Sequence, residues 1–161
     1  MNLVSSSVVI GAGATALVDA WSLARRQLMG TPLPDYGLVG RWIAWLPRGR
    51  FRHRPIAATA AVRGERVIGW AAHYGIGIAF AAAWIALSGG EPRPALVPAL
   101  LFGLATVAAP FLLMQPGMGA GIAASRAPRP GVARAQSLMT HAVFGLGLYV
   151  AALLLAAAST G

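Results

Sequence analysis

Apolar and polar positions along this chain come in long blocks. Four apolar stretches, 3–24, 67–88, 95–125 and 138–158, contain no arginine, and the chain has no lysine at all. About 20 consecutive apolar residues suffice to cross the hydrocarbon core of a bilayer. The pattern therefore predicts an all-α membrane protein with four transmembrane helices in a bundle, forming one domain over 1–161. Loops 25–66 and 126–137 carry most of the polar residues. Within the first loop, 35–46 is too short to span and holds Tyr36, Trp42 and Trp45. Such aromatics favour the headgroup level, which predicts a short interfacial helix or a cap under the bundle.

Small and polar residues recur at helical spacing inside the spans. The first has Ser7, Gly11, Thr15, Asp19 and Ser22; the second Gly69, His73, Gly77 and Ala81; the fourth Ser137, His141, Gly145 and Tyr149. Steps of three and four place each set on one helix face. Those faces should point into the bundle, where small residues let backbones approach closely. The third span differs. It carries Pro98, Pro110 and Pro116, then Gly117, Gly119 and Gly121, so a kink near Pro116 is expected.

Charge sets the orientation. All 13 basic residues are arginines against 4 acidic residues, a net charge of +9. Twelve of the 13 fall in 25–66 and 126–137, and only Arg93 lies between the second and third spans. The positive-inside rule puts both loops in the cytoplasm and both termini on the periplasmic side of a bacterial inner membrane. The first stretch has no basic residues before it and no small-residue cleavage site before Arg25, so it is expected to be a retained helix, not a signal. The densest basic run places Arg48, Arg50, Arg52 and Arg54 for contact with anionic lipid headgroups, each contributing about 1 kcal/mol. Nucleic acid is not the expected partner: Phe51 alone interrupts the basic run as an aromatic, and no binding module is visible.

Composition narrows the chemistry. The chain is 57% hydrophobic and 11% charged, more apolar than a soluble core of this length can bury. With no cysteine, disulfides and thiolate metal sites are excluded. The segment Gly11-Ala-Gly13-Ala-Thr-Ala16 imitates a dinucleotide-binding turn, with Asp35 at a plausible distance. It lies within a membrane span with no crossover unit after it, so close helix packing is the better reading. No nucleophile–base arrangement is visible, and no enzymatic activity is expected.

The candidate site comes from depth. Asp19 precedes Arg25 by six residues; His73 and His141 each follow an arginine by seven; Met118 precedes Arg126 by eight. At 1.5 Å per residue these side chains lie about 9–12 Å inside the cytoplasmic boundary. Gln115 and Met114 lie slightly deeper. An intramembrane cluster of Asp19, His73, His141, Gln115 and Met118 is thus expected. The cluster is expected to handle a proton or small ion; the alternatives are interhelical packing in a structural or accessory subunit, or a metal or haem site with His73, His141 and Asp19 as candidate ligands. The cofactor is left open.

A faint repeat relates His73-Tyr-Gly-Ile-Gly77 to His141-Ala-Val-Phe-Gly-Leu-Gly147. It suggests two parallel helical hairpins. Four helices enclose little space, which leaves room for a homodimer or another membrane partner.

Longer motifs carry a family resemblance. They include Gly13-Ala-Thr-Ala-Leu-Val-Asp-Ala-Trp21, Asp35-Tyr-Gly-Leu-Val-Gly-Arg-Trp42, Leu46-Pro-Arg-Gly-Arg-Phe51, Arg63-Gly-Glu-Arg66, His73-Tyr-Gly-Ile-Gly77, Pro110-Phe-Leu-Leu-Met-Gln-Pro-Gly-Met-Gly-Ala-Gly-Ile-Ala-Ala-Ser-Arg126 and Thr140-His-Ala-Val-Phe-Gly-Leu-Gly-Leu-Tyr149. Through them nearly the whole chain resembles the domain-of-unknown-function 2938 family of small bacterial proteins with four expected membrane helices. The resemblance implies an integral inner-membrane protein and assigns no activity or site residue.

Overall fold

The computed structural model describes residues 2–159, which are all-helical with no strand among them. Five helices follow one another: α1 Leu3–Met29, α2 Tyr36–Trp45, α3 Glu65–Leu87, α4 Leu96–Met118 and α5 Pro130–Ser159. All but α2 are long and apolar enough to cross a membrane.

Three boundaries differ from the expected ones. Helix α1 continues past Arg25 and Arg26 to Met29, and α5 begins at Pro130, eight residues before the apolar stretch. Hydropathy marks where apolar side chains stop, whereas a helix stops where its hydrogen bonds do. Arginine is a good helix former, and proline suits a first helical position. The α1 end is set by Gly30, left-handed at φ 64°, whose N–H reaches the Arg26 carbonyl at 3.1 Å. The third span ends early, at Met118 and not at Ser125, because Gly119 turns left-handed at φ 99°.

The irregularity in α4 is also broader than a kink at Pro116. Regular helix runs over Leu96–Ala105, a wide π turn over Pro110–Met114, and one further turn over Gln115–Met118. Pro110 has no N–H to give to the preceding turn. The ladder opens there, and the Gln115 N–H bonds the Pro110 carbonyl five residues back.

The chain divides into two compact units. The first takes residues through Leu33, Tyr74–Thr106 and residues from Met139. Its core comprises Ile10, Ala14, Val18, Ala81, Trp84, Ile85, Ala99, Phe144, Leu148 and Ala152. Small residues form its seams, Gly11 and Gly145 on the expected faces and Gly103 and Gly147 outside them. A Cβ on Gly11 would lie 2.5 Å from the Ile78 Cα; one on Gly103, 2.5 Å from the Gly145 Cα; one on Gly147, 2.7 Å from the Ala14 Cα. Thr15 is buried at the α1–α3 seam and donates to its own helix, to the Gly11 carbonyl at 2.7 Å. Outward faces carry exposed Val4, Val8, Leu101, Leu153 and Leu154, as a lipid-facing surface requires.

The second unit, Pro34–His73 with Val107–Leu138, is built differently. Asp35 caps α2 by accepting from the Gly37 N–H at 2.9 Å. The expected short helix packs on the opening turns of α3, where a Cβ on Gly40 would strike the Glu65 carbonyl and one on Gly69 the Tyr36 carbonyl. Arg41 grips Glu65 with two hydrogen bonds, at 2.8 and 2.7 Å, and also donates to the Ala57 and Thr59 carbonyls. The Glu65 hydrogen bond holds the Arg41 guanidinium charged, raising its already high pKa.

Candidate functional site

Asp19, His73, His141 and Gln115 each meet a hydrogen-bond partner. On α1, half-buried Asp19 accepts from the Tyr74 hydroxyl at 3.0 Å. The His73 Nε2 shares a 3.0 Å hydrogen bond with the Tyr36 hydroxyl. The same two rings stack at 4.2 Å, 26° apart, with Trp70 at the edge of His73. Tyr36 opens α2, so the α2–α3 packing delivers this contact.

His141 lies 2.7 Å through Nδ1 from the Thr106 Oγ1. Thr106 donates its single hydroxyl proton to the Gly103 carbonyl at 2.5 Å. A hydroxyl has one proton to give. With its proton so placed, Thr106 offers its lone pairs to His141 Nδ1. This geometry exists because α4 loosens at Thr106 and because Gly103 and Gly145 let α4 and α5 touch.

Gln115 donates through Nε2 to the Ser137 Oγ at 3.3 Å, and its Oε1 is buried with no hydrogen-bond partner. Met118 closes the last turn of α4, half-buried. Among the described residues, no three or more His, Asp or Glu side chains gather so as to hold a metal ion. Tyr36 and Ser137 stand in the sequence patterns without a role as partners, and Tyr74 and Thr106 carry no pattern that singles them out. The signal all four share is the hydroxyl or phenol they bring to a span or its border.

A second polar feature lies in the basic segments. Arg50, Arg52 and Arg54 line a cleft of about 740 Å³, and Arg126, from the other arginine-rich loop, lines it too. Arg48 is not among the lining residues. It lies over the Trp45 ring at 4.8 Å, beside Arg50 at 4.9 Å. The tryptophans hold the run in place: Trp42 donates to the Phe51 carbonyl at 3.1 Å and Trp45 to the Ala60 carbonyl at 3.3 Å. His53, only 4% exposed, is the buried residue of the run. Its Nδ1 lies 2.9 Å from the Thr59 Oγ1, and its Nε2 is buried with no partner. Sequence reasoning passed over His53, although it stands alone as a non-arginine polar residue in Arg52-His-Arg54.

The model of a family described as a protein of unknown function, DUF2938, matches residues 8–155, and the chain belongs to that family. No curated protein and no solved structure matches the chain.

Proposed function

We propose that this is a non-enzymatic, multi-pass protein of the bacterial inner membrane, acting as a structural or accessory membrane subunit. Both ends of this chain lie on the periplasmic side, and 25–66 and 126–137 face the cytoplasm. Twelve of 13 arginines on one side of the spans support that orientation. Arg50, Arg52 and Arg54 meet anionic headgroups there.

One observation carries the structural role: the carboxylate and the two imidazoles of the apolar stretches are each bonded to a phenol or hydroxyl. Asp19 pairs with Tyr74, His73 with Tyr36 and His141 with Thr106. A carboxylate or imidazole at membrane depth is costly when alone. With a hydrogen-bond partner it offsets that cost and fixes how one helix is rotated against another, at about 1 kcal/mol per bond.

Proton flux in liposomes tests this reading. Wild-type protein is expected to pass no more protons than empty liposomes, while Asp19→Asn and His73→Gln lower its melting temperature. A wild-type flux that either variant abolishes, with unchanged melting, would replace the structural role with proton passage. A reporter active only in the periplasm should work when fused after Ser159 and be silent when inserted at Gly49; the opposite result overturns the orientation.

A further inference from the structure

We infer that the arginine cleft is a binding site for a phosphoryl group, presented by an anionic phospholipid headgroup or by free phosphate. The inference deepens the headgroup contact proposed above and rests on that reading only for the side of the membrane the cleft faces. What the structure adds is a built cavity. Three arginines of one segment, Arg50, Arg52 and Arg54, share it with Arg126 from a segment more than 70 residues later, and no acidic residue is among its lining. Four cations without a carboxylate repel one another until an anion joins them. The guanidinium fork matches phosphate oxygens in pairs, which makes arginine the side chain suited to this geometry.

The walls are anchored by the backbone. The His53 N–H donates to the Gly117 carbonyl at 2.8 Å, and the Arg126 N–H to the Ala120 carbonyl at 2.8 Å. Gly121, left-handed at φ 76°, makes the turn ahead of Arg126; a Cβ there would strike the Ser125 Oγ. Arg134 ties the same loop through the Ala123 carbonyl at 2.8 Å. Little ordering is left to be done on binding, so less affinity is lost to it. The volume, about 740 Å³, falls in the range of small-molecule pockets. In the wall, His53 is 96% buried with an unmatched Nε2. Its Nδ1 bond to the Thr59 Oγ1, at 2.9 Å, fixes this stretch of the wall.

The experiment uses the full chain in neutral detergent. Inorganic phosphate is titrated calorimetrically into wild type, Arg126→Gln and Arg48→Gln, with melting curves as the folding control. Binding is expected to saturate. Arg126→Gln should weaken it about tenfold or more, since a charge-assisted contact is lost. Arg48→Gln, in the same run but outside the cleft, should change it by less than about twofold. If Arg126→Gln melts early, Arg52→Gln takes its place with the same expectation. The titration is then repeated in nanodiscs of phosphatidylcholine alone or with phosphatidylglycerol. Suppression of phosphate binding by phosphatidylglycerol assigns the cleft to headgroups; persistence assigns it to free phosphate. Both support the inference. Failure to saturate, or equal weakening by Arg126→Gln and Arg48→Gln, overturns it and leaves only diffuse charge. An inverted reporter topology would sink the orientation and leave the detergent titration standing.

Discussion

The two units of this molecule solve one problem by opposite means. Both have backbone N–H and C=O groups to pair. The first pairs its backbone within its helices and brings the helices together through glycine. Its seams at Gly11, Gly103 and Gly147 leave no room for a Cβ. The second unit contains much non-helical backbone, between α2 and α3 and after Met118. Its carbonyls are matched by long side chains: Arg41 on Ala57 and Thr59, Trp42 on Phe51, Trp45 on Ala60, and Arg134 on Ala123. Small residues serve where secondary structure has already paired the backbone. Arginine and tryptophan serve where it has not.

The largest expected effect falls on the glycine seams. Gly103→Leu places a side chain on the Gly145 backbone and the His141 carbonyl, and Gly145→Leu places one on Ala99 and Leu100. Neither neighbour can yield, because both are main chain. Each substitution should cost about 1–3 kcal/mol or more, seen as a large fall in melting temperature in detergent. If both variants melt as wild type, close α4–α5 packing is wrong.

A middle-sized effect is expected in the second unit. Gly40→Leu would push a side chain into the Glu65 carbonyl and the Gly69 N–H. Displacing α2 removes the Tyr36–His73 stack and the Arg41–Glu65 pair together. Limited proteolysis should then cut within 46–64 while the first unit stays helical by circular dichroism. Cleavage no faster than in wild type would show that α2 is held by something other than this packing.

The smallest effect tests a single hydrogen bond. Thr106→Val keeps the shape and removes the acceptor for His141. A loss of about 1 kcal/mol is expected, and His141→Phe in the Thr106→Val background should lose little more. A strongly additive double variant would show that His141 has a second essential partner.

The helical class, the four apolar spans, the charge asymmetry and part of the small-residue faces were legible in the residues alone. Each rests on a local property, such as length, hydropathy or residue size at a fixed helical step. Asp19, His73 and His141 were also legible, because an ionisable group in an apolar stretch stands out against its neighbours. The partners of those groups emerge only on folding, since Tyr74 is 55 residues from Asp19 and Thr106 is 35 from His141. The same holds for the extension of α1 through Arg25 and Arg26, and for the early stop of α4 at Gly119. Helix ends follow hydrogen bonding and left-handed glycines, which hydropathy does not record. The cleft was hidden for a related reason. Arg126 and Arg54 are distant in the sequence and carry the same charge, so nothing local predicts that they meet. Arginines of one sign come together only when other contacts, here the ties of His53 to Gly117 and of Arg41 to the 57–59 backbone, hold their chains in place.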